Sequence, residues 1–330
     1  MKKIRKGVCL LIDNLWVDNA LVKPVLKTLL QDKTTGQNIL FATDDYLRFG
    51  TEYGAKMQMR EDLLLNIRQE IQPRVAKSIE AQKNRTKVKA EVMTPPWVVC
   101  LMNGHCDADW FGREAIFEQM DGQRWEPTSR PISFPEGKMK TWQKYVDCRR
   151  MEITCGEAPY IVTRYDTTTG ETIPVARRVG FLDHKLRVVN ENTETEEEWF
   201  KWTVRAFQSS YGFEFQGDNL LIARINVLLT FAEHMEARWG RLPKQNELQR
   251  IATIIVWNLW QMDAFTGTIP YGQIEEPEPE FEQLSMFNMM EARPSELKNE
   301  TPPCLIRDWR TTGVGGRALT YISLKGEKEK

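Results

Sequence analysis

"YGFEFQGDNLLIARINVLLTFAEHMEARWG", residues 211 to 240, decides how this chain is read. It opens on a short alternating stretch, passes a Gln-Gly-Asp turn and runs on with apolar residues at helical spacing. Period two followed by period 3.6 means strand, turn, helix. Leu221, Ile225, Leu228, Ala232 and Met235 fall on one face of that helix. Asp218 stands where an N-cap is wanted and Gly240 where the helix must end. An acid at the end of the second strand of a nucleotide-binding βαβ unit can accept hydrogen bonds from a ribose diol. Glu214 holds that position.

Working upstream, EITCGEAPYI (152–161) follows a short apolar run and turns through small residues. Such a turn lets backbone N–H groups approach a ligand closely. Gly156 and Ala158 are its small positions, and Glu152 is the acid at the strand end. Downstream, KQNELQRIATIIVWNLWQMD (244–263) is a second helical pattern turning into strand near its end. Asp263, just past it, could accept an exocyclic amine. Each stretch alone is a weak signal; an ordinary turn, a surface Glu and an exposed Asp explain them as simply.

In combination they resemble one family. Thr94-Pro95 before Trp97, then Glu152-Ile153-Thr154-Cys155-Gly156-Glu157-Ala158, then Tyr211 to Glu214 with its arginine-bearing helix, then Asn258 to Phe265, follow one order. That order is similar to the adenine-N6 DNA methyltransferases that use S-adenosylmethionine. It looks most like the bacterial and phage proteins labelled restriction endonuclease subunit M. The likeness covers roughly residues 88 to 310. It implies a Rossmann-like α/β methyltransferase domain behind a helical N-terminal region. It further implies S-adenosylmethionine held by Thr94, Pro95, Glu152, Thr154, Cys155, Gly156, Ala158, Glu214 and Asp263. Asp263 would bind the adenine and Glu214 the ribose.

The family's catalytic loop, an Asn, Asp or Ser before Pro-Pro and an aromatic, should follow Asp263. The Pro-Pro pairs in this sequence are TPPW at 94 and TPPC at 301, and neither supplies the acceptor that loop needs. TPPW therefore reads as the entry turn of the domain, and no catalytic residue is assigned. Two further departures are Ala158-Pro159 in place of the second loop glycine, and Met262 in place of a glycine. About 50 residues separate the first loop from the second strand; roughly half that would suffice for a minimal βαβ unit. This charged insert, 162 to 210, is expected to be a DNA-facing lobe or a mere excursion.

Composition bounds the rest. The 330 residues carry net charge -1, with 41% hydrophobic and 28% charged residues, as in a soluble globular protein. No apolar run approaches the roughly 18 residues of a membrane span. MKKIRKGVCLLIDNLW lacks a small-residue cleavage site, so a cytoplasmic protein is expected. Cys9, Cys100, Cys106, Cys148, Cys155 and Cys304 have no framework spacing and read as free thiols. Three histidines, His234 expected at the surface, make a metal site improbable. Residues 57 to 82 read as two helices or one kinked at Pro73, and 104 to 145 as irregular. Lys83, Arg85, Lys87 and Lys89 form a basic stretch that could meet DNA phosphate, and EEPEPEFE (275–282) an acidic linker.

The division expected is a mixed or helical region over 1–87, the methyltransferase-like domain over 88–267, a Pro/Glu/Met-rich linker over 268–303, and a last strand with a basic tail over 304–330. Two functions follow. One is a DNA adenine-N6 methyltransferase or modification subunit, with a second protein subunit as one source of the missing loop. The other is a catalytically silent cofactor- or DNA-binding subunit.

Overall fold

The computed structural model describes residues 19–89, 91–137, 140–271, 302–310 and 315–324. The start of the chain, the acidic stretch at 275–282, most of the 268–303 linker and the end of the basic tail lie outside the described residues.

The chain is mixed α/β. Its organising element is a three-stranded parallel sheet in the order β3-β4-β5, made of Arg150–Glu152 (β3), Ser210–Glu214 (β4) and Leu259–Gln261 (β5). Register pairs Glu152 with Gly212, and Gly212 with Leu259. Parallel neighbours need long crossovers, and four helices supply them. Phe181–Asn192 (α6) and Glu196–Gln208 (α7) lead from β3 to β4; Gly217–Trp239 (α8) and Gln245–Asn258 (α9) lead from β4 to β5. Two antiparallel hairpins flank this unit. They are Glu118–Asp121 (β1) with Arg124–Pro127 (β2), and Leu305–Asp308 (β6) with Arg317–Thr320 (β7).

Residues 162 to 210 are therefore neither a lobe nor an excursion. They carry the first crossover, whose two helices account for its length. The charge that marked the segment as surface is partly interior. Lys185 is fully buried and donates to the Cys148 and Ser209 carbonyls and the Ser209 hydroxyl at 2.7–3.0 Å. Burial pushes its ammonium well below the usual lysine range.

The 104–145 expectation also changes. A helix, Pro96–Phe111 (α4), runs through its first part and ends at Gly112, which takes the left-handed conformation that suits a glycine C-cap. The buried stripe of α4 runs through Val99, Asn103, Asp107 and Phe111. Two polar residues on that stripe hid its periodicity. Asn103 donates to the Tyr160 and Val179 carbonyls, and Asp107 accepts from Tyr145 on the short helix Trp142–Val146 (α5).

Among residues 19 to 89, Glu61–Asn66 (α2) and Ile79–Lys89 (α3) are helices separated at Pro73; Leu26–Leu29 (α1) is a single turn. This region shares one apolar cluster with the sheet unit, from Val22 through Phe41 and Leu228 to Leu259. Gly217 shows how close the approach is: a Cβ there would lie 1.9 Å from the Leu40 carbonyl oxygen. Arg224, fully buried on α8, donates to the Leu259 and Gln31 carbonyls and so ties sheet to N-terminal region.

Candidate functional site

The C-terminal ends of β3 and β4, with Phe265 from the turn after β5, open into one cleft of about 1130 Å³. Glu152, Thr154, Cys155, Gly156 and Glu214 line it, with Thr94 and Phe265. Three segments distant in the sequence thus meet because the parallel register brings their strand ends level.

The loop after β3 is built on repeated left-handed backbone. Thr154, Gly156 and Ala158 have φ of 49°, 53° and 66°. This conformation is open to glycine and costs other residues roughly 1 kcal/mol each. The loop folds back on itself through Ala158 N–H to the Cys155 carbonyl, 2.7 Å, and onto β4 through Cys155 N–H to the Phe213 carbonyl, 2.8 Å. Ala158 occupies a glycine-type conformation while fully buried, which accounts for a small residue there. Beside Gly156 the space is open: an added Cβ would meet only the end of the Met93 side chain, at 3.8 Å.

Glu152 and Glu214 hold this loop. Glu214 accepts from Gly156 N–H at 2.8 Å and Gln216 N–H at 3.1 Å. Glu152 accepts from Tyr160 N–H at 3.3 Å and Ile161 N–H at 3.1 Å. Both carboxylates are buried, and no cationic nitrogen of the described residues pairs with either. Burial pushes both acids above the usual carboxylate range, Glu152 strongly, and backbone N–H donation offsets only part of it.

Other expected positions fall differently. Asp263 does not line the cleft. Its carboxylate accepts from Phe265 N–H at 2.8 Å, which fixes the turn after β5 and leaves Phe265 94% exposed at the cleft mouth. Pro95 and Ala158 lie behind the lining residues, Pro95 as the N-cap of α4 and Ala158 in the loop interior. TPPW is the entry to α4, with Pro96 in its first turn. Thr94 is fastened by its carbonyl, which accepts from the Thr167 hydroxyl at 2.7 Å.

The basic stretch needs correction. Lys83 and Lys87 are exposed on α3. Arg85 is buried and cannot meet phosphate. It donates to Glu91 at 2.7 Å, to Asp45 at 2.7 Å and to Asp218 at 2.9 Å. Lys89 pairs with Asp45 at 2.8 Å and lines the cleft. Asp218 is likewise not an N-cap; Gln216 is. Asp218 lies within the first turn of α8, buried among Arg85, Lys77 and the Tyr46 hydroxyl. Burial favours its neutral form, yet Arg85 and Lys77 hold it far below the usual range.

His234 is buried, not at the surface. His184 is the centre of an internal relay. Its Nδ1 lies 2.7 Å from Asp107, its Nε2 lies 3.0 Å from Glu118, and its ring stacks on Phe117. Burial opposes its charge, but Glu118 and Asp107 outweigh that and lift it to about 10. Among the described residues no group of three or more His, Cys, Asp or Glu could hold a metal, and the five described cysteines are free. No helix of the described residues is long and apolar enough to cross a membrane.

Missed from the sequence were Glu91, Met93, Tyr160, Gln216 and Asn219, all cleft-lining. Gln216 and Asn219 were detectable, since they flank the turn from β4 into α8. Glu91 was not, because Arg74, Arg85 and Asn219, from three separate elements, hold it in the wall.

No family model matches the chain, and no curated protein and no solved structure matches it.

Proposed function

We propose that this chain is the cofactor-binding part of an S-adenosylmethionine-dependent DNA adenine-N6 methyltransferase or modification subunit, on a Rossmann-like sheet. The observation that carries the reading is the joint opening of the β3 and β4 ends, with Glu152 and Glu214, and of the turn after β5 into one cleft. Ligands of parallel α/β sheets bind at that end of the strands. The volume suits a nucleoside-sized ligand with room beside it. The donor set fits as well: two buried carboxylates without cationic partners suit a molecule carrying sulfonium and ammonium charge.

Bound there, the cofactor supplies an electrophilic methyl group. The chain's own residues position it. Glu214, pinned by Gly156 and Gln216, keeps lone pairs for ribose hydroxyls. The left-handed loop at 154–158 brings backbone against the amino-acid part. Phe265 offers an aromatic face at the mouth for a base to stack on. Lys83 and Lys87 are the basic residues of α3 left to meet DNA phosphate.

A second reading has its own support. Among the described residues no Pro-Pro-aromatic loop with an amine acceptor lines the cleft, because TPPW starts α4 and Pro303 of TPPC pairs with Thr268. The chain would then bind cofactor without transferring methyl by itself. One experiment separates the two. The protein is mixed with methyl-labelled cofactor and adenine-containing duplex, beside calorimetry with cofactor alone. Label in DNA, lost in Glu214→Gln, supports the enzyme; heat of binding without label supports the silent subunit. No binding heat removes both.

A further inference from the structure

Among the described residues, the cations near the cleft floor are committed elsewhere. Lys89 pairs with Asp45, Arg150 with Asp107, and Arg85 with Asp218 and Glu91. Glu91 is also gripped by Arg74 at 3.3 Å. The two thiols in the lining, Cys106 and Cys155, carry no positive charge, and burial pushes Cys155 well above the usual thiol range. Glu152 and Glu214 stand apart. Among the described residues their carboxylates accept only from backbone N–H groups; Glu152 lies in the field of Glu214, and Glu214 in that of the Arg85-paired Asp218.

We infer that Glu152 and Glu214 make the cleft charge-selective, so that it takes the sulfonium cofactor in preference to the neutral thioether left after methyl transfer. This rests on the methyl-donor reading and adds a specificity to it. In the transfer the acceptor nitrogen's lone pair forms the new N–C bond and the C–S electron pair stays on sulfur. The nitrogen sheds its proton to solvent, and the bound molecule loses one positive charge. A cleft holding two unmatched carboxylates loses an attraction at that moment. For unit charges about 8 Å apart at an effective dielectric near 20, the preference is on the order of tenfold or more. Because burial favours the protonated acids, the preference grows as pH rises and both ionise.

The test is calorimetry on the full chain with S-adenosylmethionine, S-adenosylhomocysteine and sinefungin, whose amine carries charge at the sulfonium position. Titrations run from mildly acidic to mildly alkaline pH in buffers of different ionisation enthalpy. Both charged ligands are expected to bind about tenfold more tightly than the thioether. The gap should widen with pH, and the charged ligands should release more protons on binding. In Glu152→Gln/Glu214→Gln the gap closes, because affinity for the two charged ligands falls further than affinity for the thioether; a purely structural role for the two acids would weaken all three ligands alike. Should the double variant not fold by circular dichroism, Glu214→Gln alone must narrow the gap. Equal or tighter thioether binding at every pH, or a gap that survives the substitutions, overturns the inference and leaves the methyl-donor reading intact. Failure of all three ligands to bind ends the methyl-donor reading itself.

Discussion

Two sets of buried carboxylates lie side by side in this molecule and behave in opposite ways. In and behind the cleft wall, Glu91 and Asp218, with the half-buried Asp45, are bound by Arg85, Arg74, Lys77 and Lys89. At the cleft floor, Glu152 and Glu214 have only backbone N–H donors among the described residues. The first set joins α3 to the start of α8 and is complete within the chain. The second holds a loop in place but leaves its charge unanswered. The contrast teaches that burial of an acid does not by itself mark a site; burial without a counter-charge at an open cleft does.

The largest expected effect breaks the matched set. Arg85→Met strands Asp218 and Glu91 without their main cation, and should cost about 3–5 kcal/mol in denaturant unfolding. A loss below about 1 kcal/mol would mean that the network does not hold the two regions together.

The same measurement on the unmatched set should show a smaller loss. Glu214→Gln and Glu152→Gln remove acids that no cation of the described residues offsets, but each exchanges one of two N–H acceptors for an NH2 group, so stability at neutral pH should fall by no more than about 2 kcal/mol. On the methyl-donor reading, affinity for S-adenosylmethionine should fall tenfold or more by calorimetry, about 1.4 kcal/mol or above. Destabilisation comparable to that of Arg85→Met would erase the distinction between the sets.

The pH profile sharpens it further. Asp218 and Glu233 are lowered in the folded chain, Glu233 to about 2, where Arg164 and Arg178 outweigh its burial. Their stabilisation is present above the unfolded carboxyl range and is lost as pH falls toward 2. Glu152 and Glu214 are raised, so the unfolded chain releases their protons first and stability declines as pH climbs above that range. The Gln variants should flatten this decline alone. His184, raised to about 10, stabilises fully below its unfolded value of 6.5. That contribution fades as pH rises through about 10, at no more than about 1.4 kcal/mol per pH unit. His184→Gln should remove this alkaline slope in thermal melts across pH.

The smallest effect concerns the loop. Ala158→Gly relieves left-handed strain and frees the unfolded chain, two terms of about equal size, so stability should move by about 0.5 kcal/mol or less. A loss well beyond that would show that the buried methyl packs, not merely fits.

Much of the sheet unit was legible. The β4 strand, α8 to Gly240, and the turn of α9 into β5 followed from periodicity, because strands and helices of a buried α/β layer repeat their apolar residues faithfully. Less legible was everything with polar residues inside. Asn103 and Asp107 masked the stripe of α4, Lys185 and Asp183 made crossover helices resemble surface, and Arg85 resembled a phosphate contact. Each has at least one partner twenty or more residues away, and no local pattern records such a partner.

The sequence by itself determined where strands turn into helices and which small residues bend the loop after β3, since those are local steric and periodic demands. Only the tertiary structure decided which charges are answered and which are not. Whether a carboxylate meets a guanidinium or an open cleft depends on segments brought together across the whole fold, and that pairing is what separates a brace from a binding site.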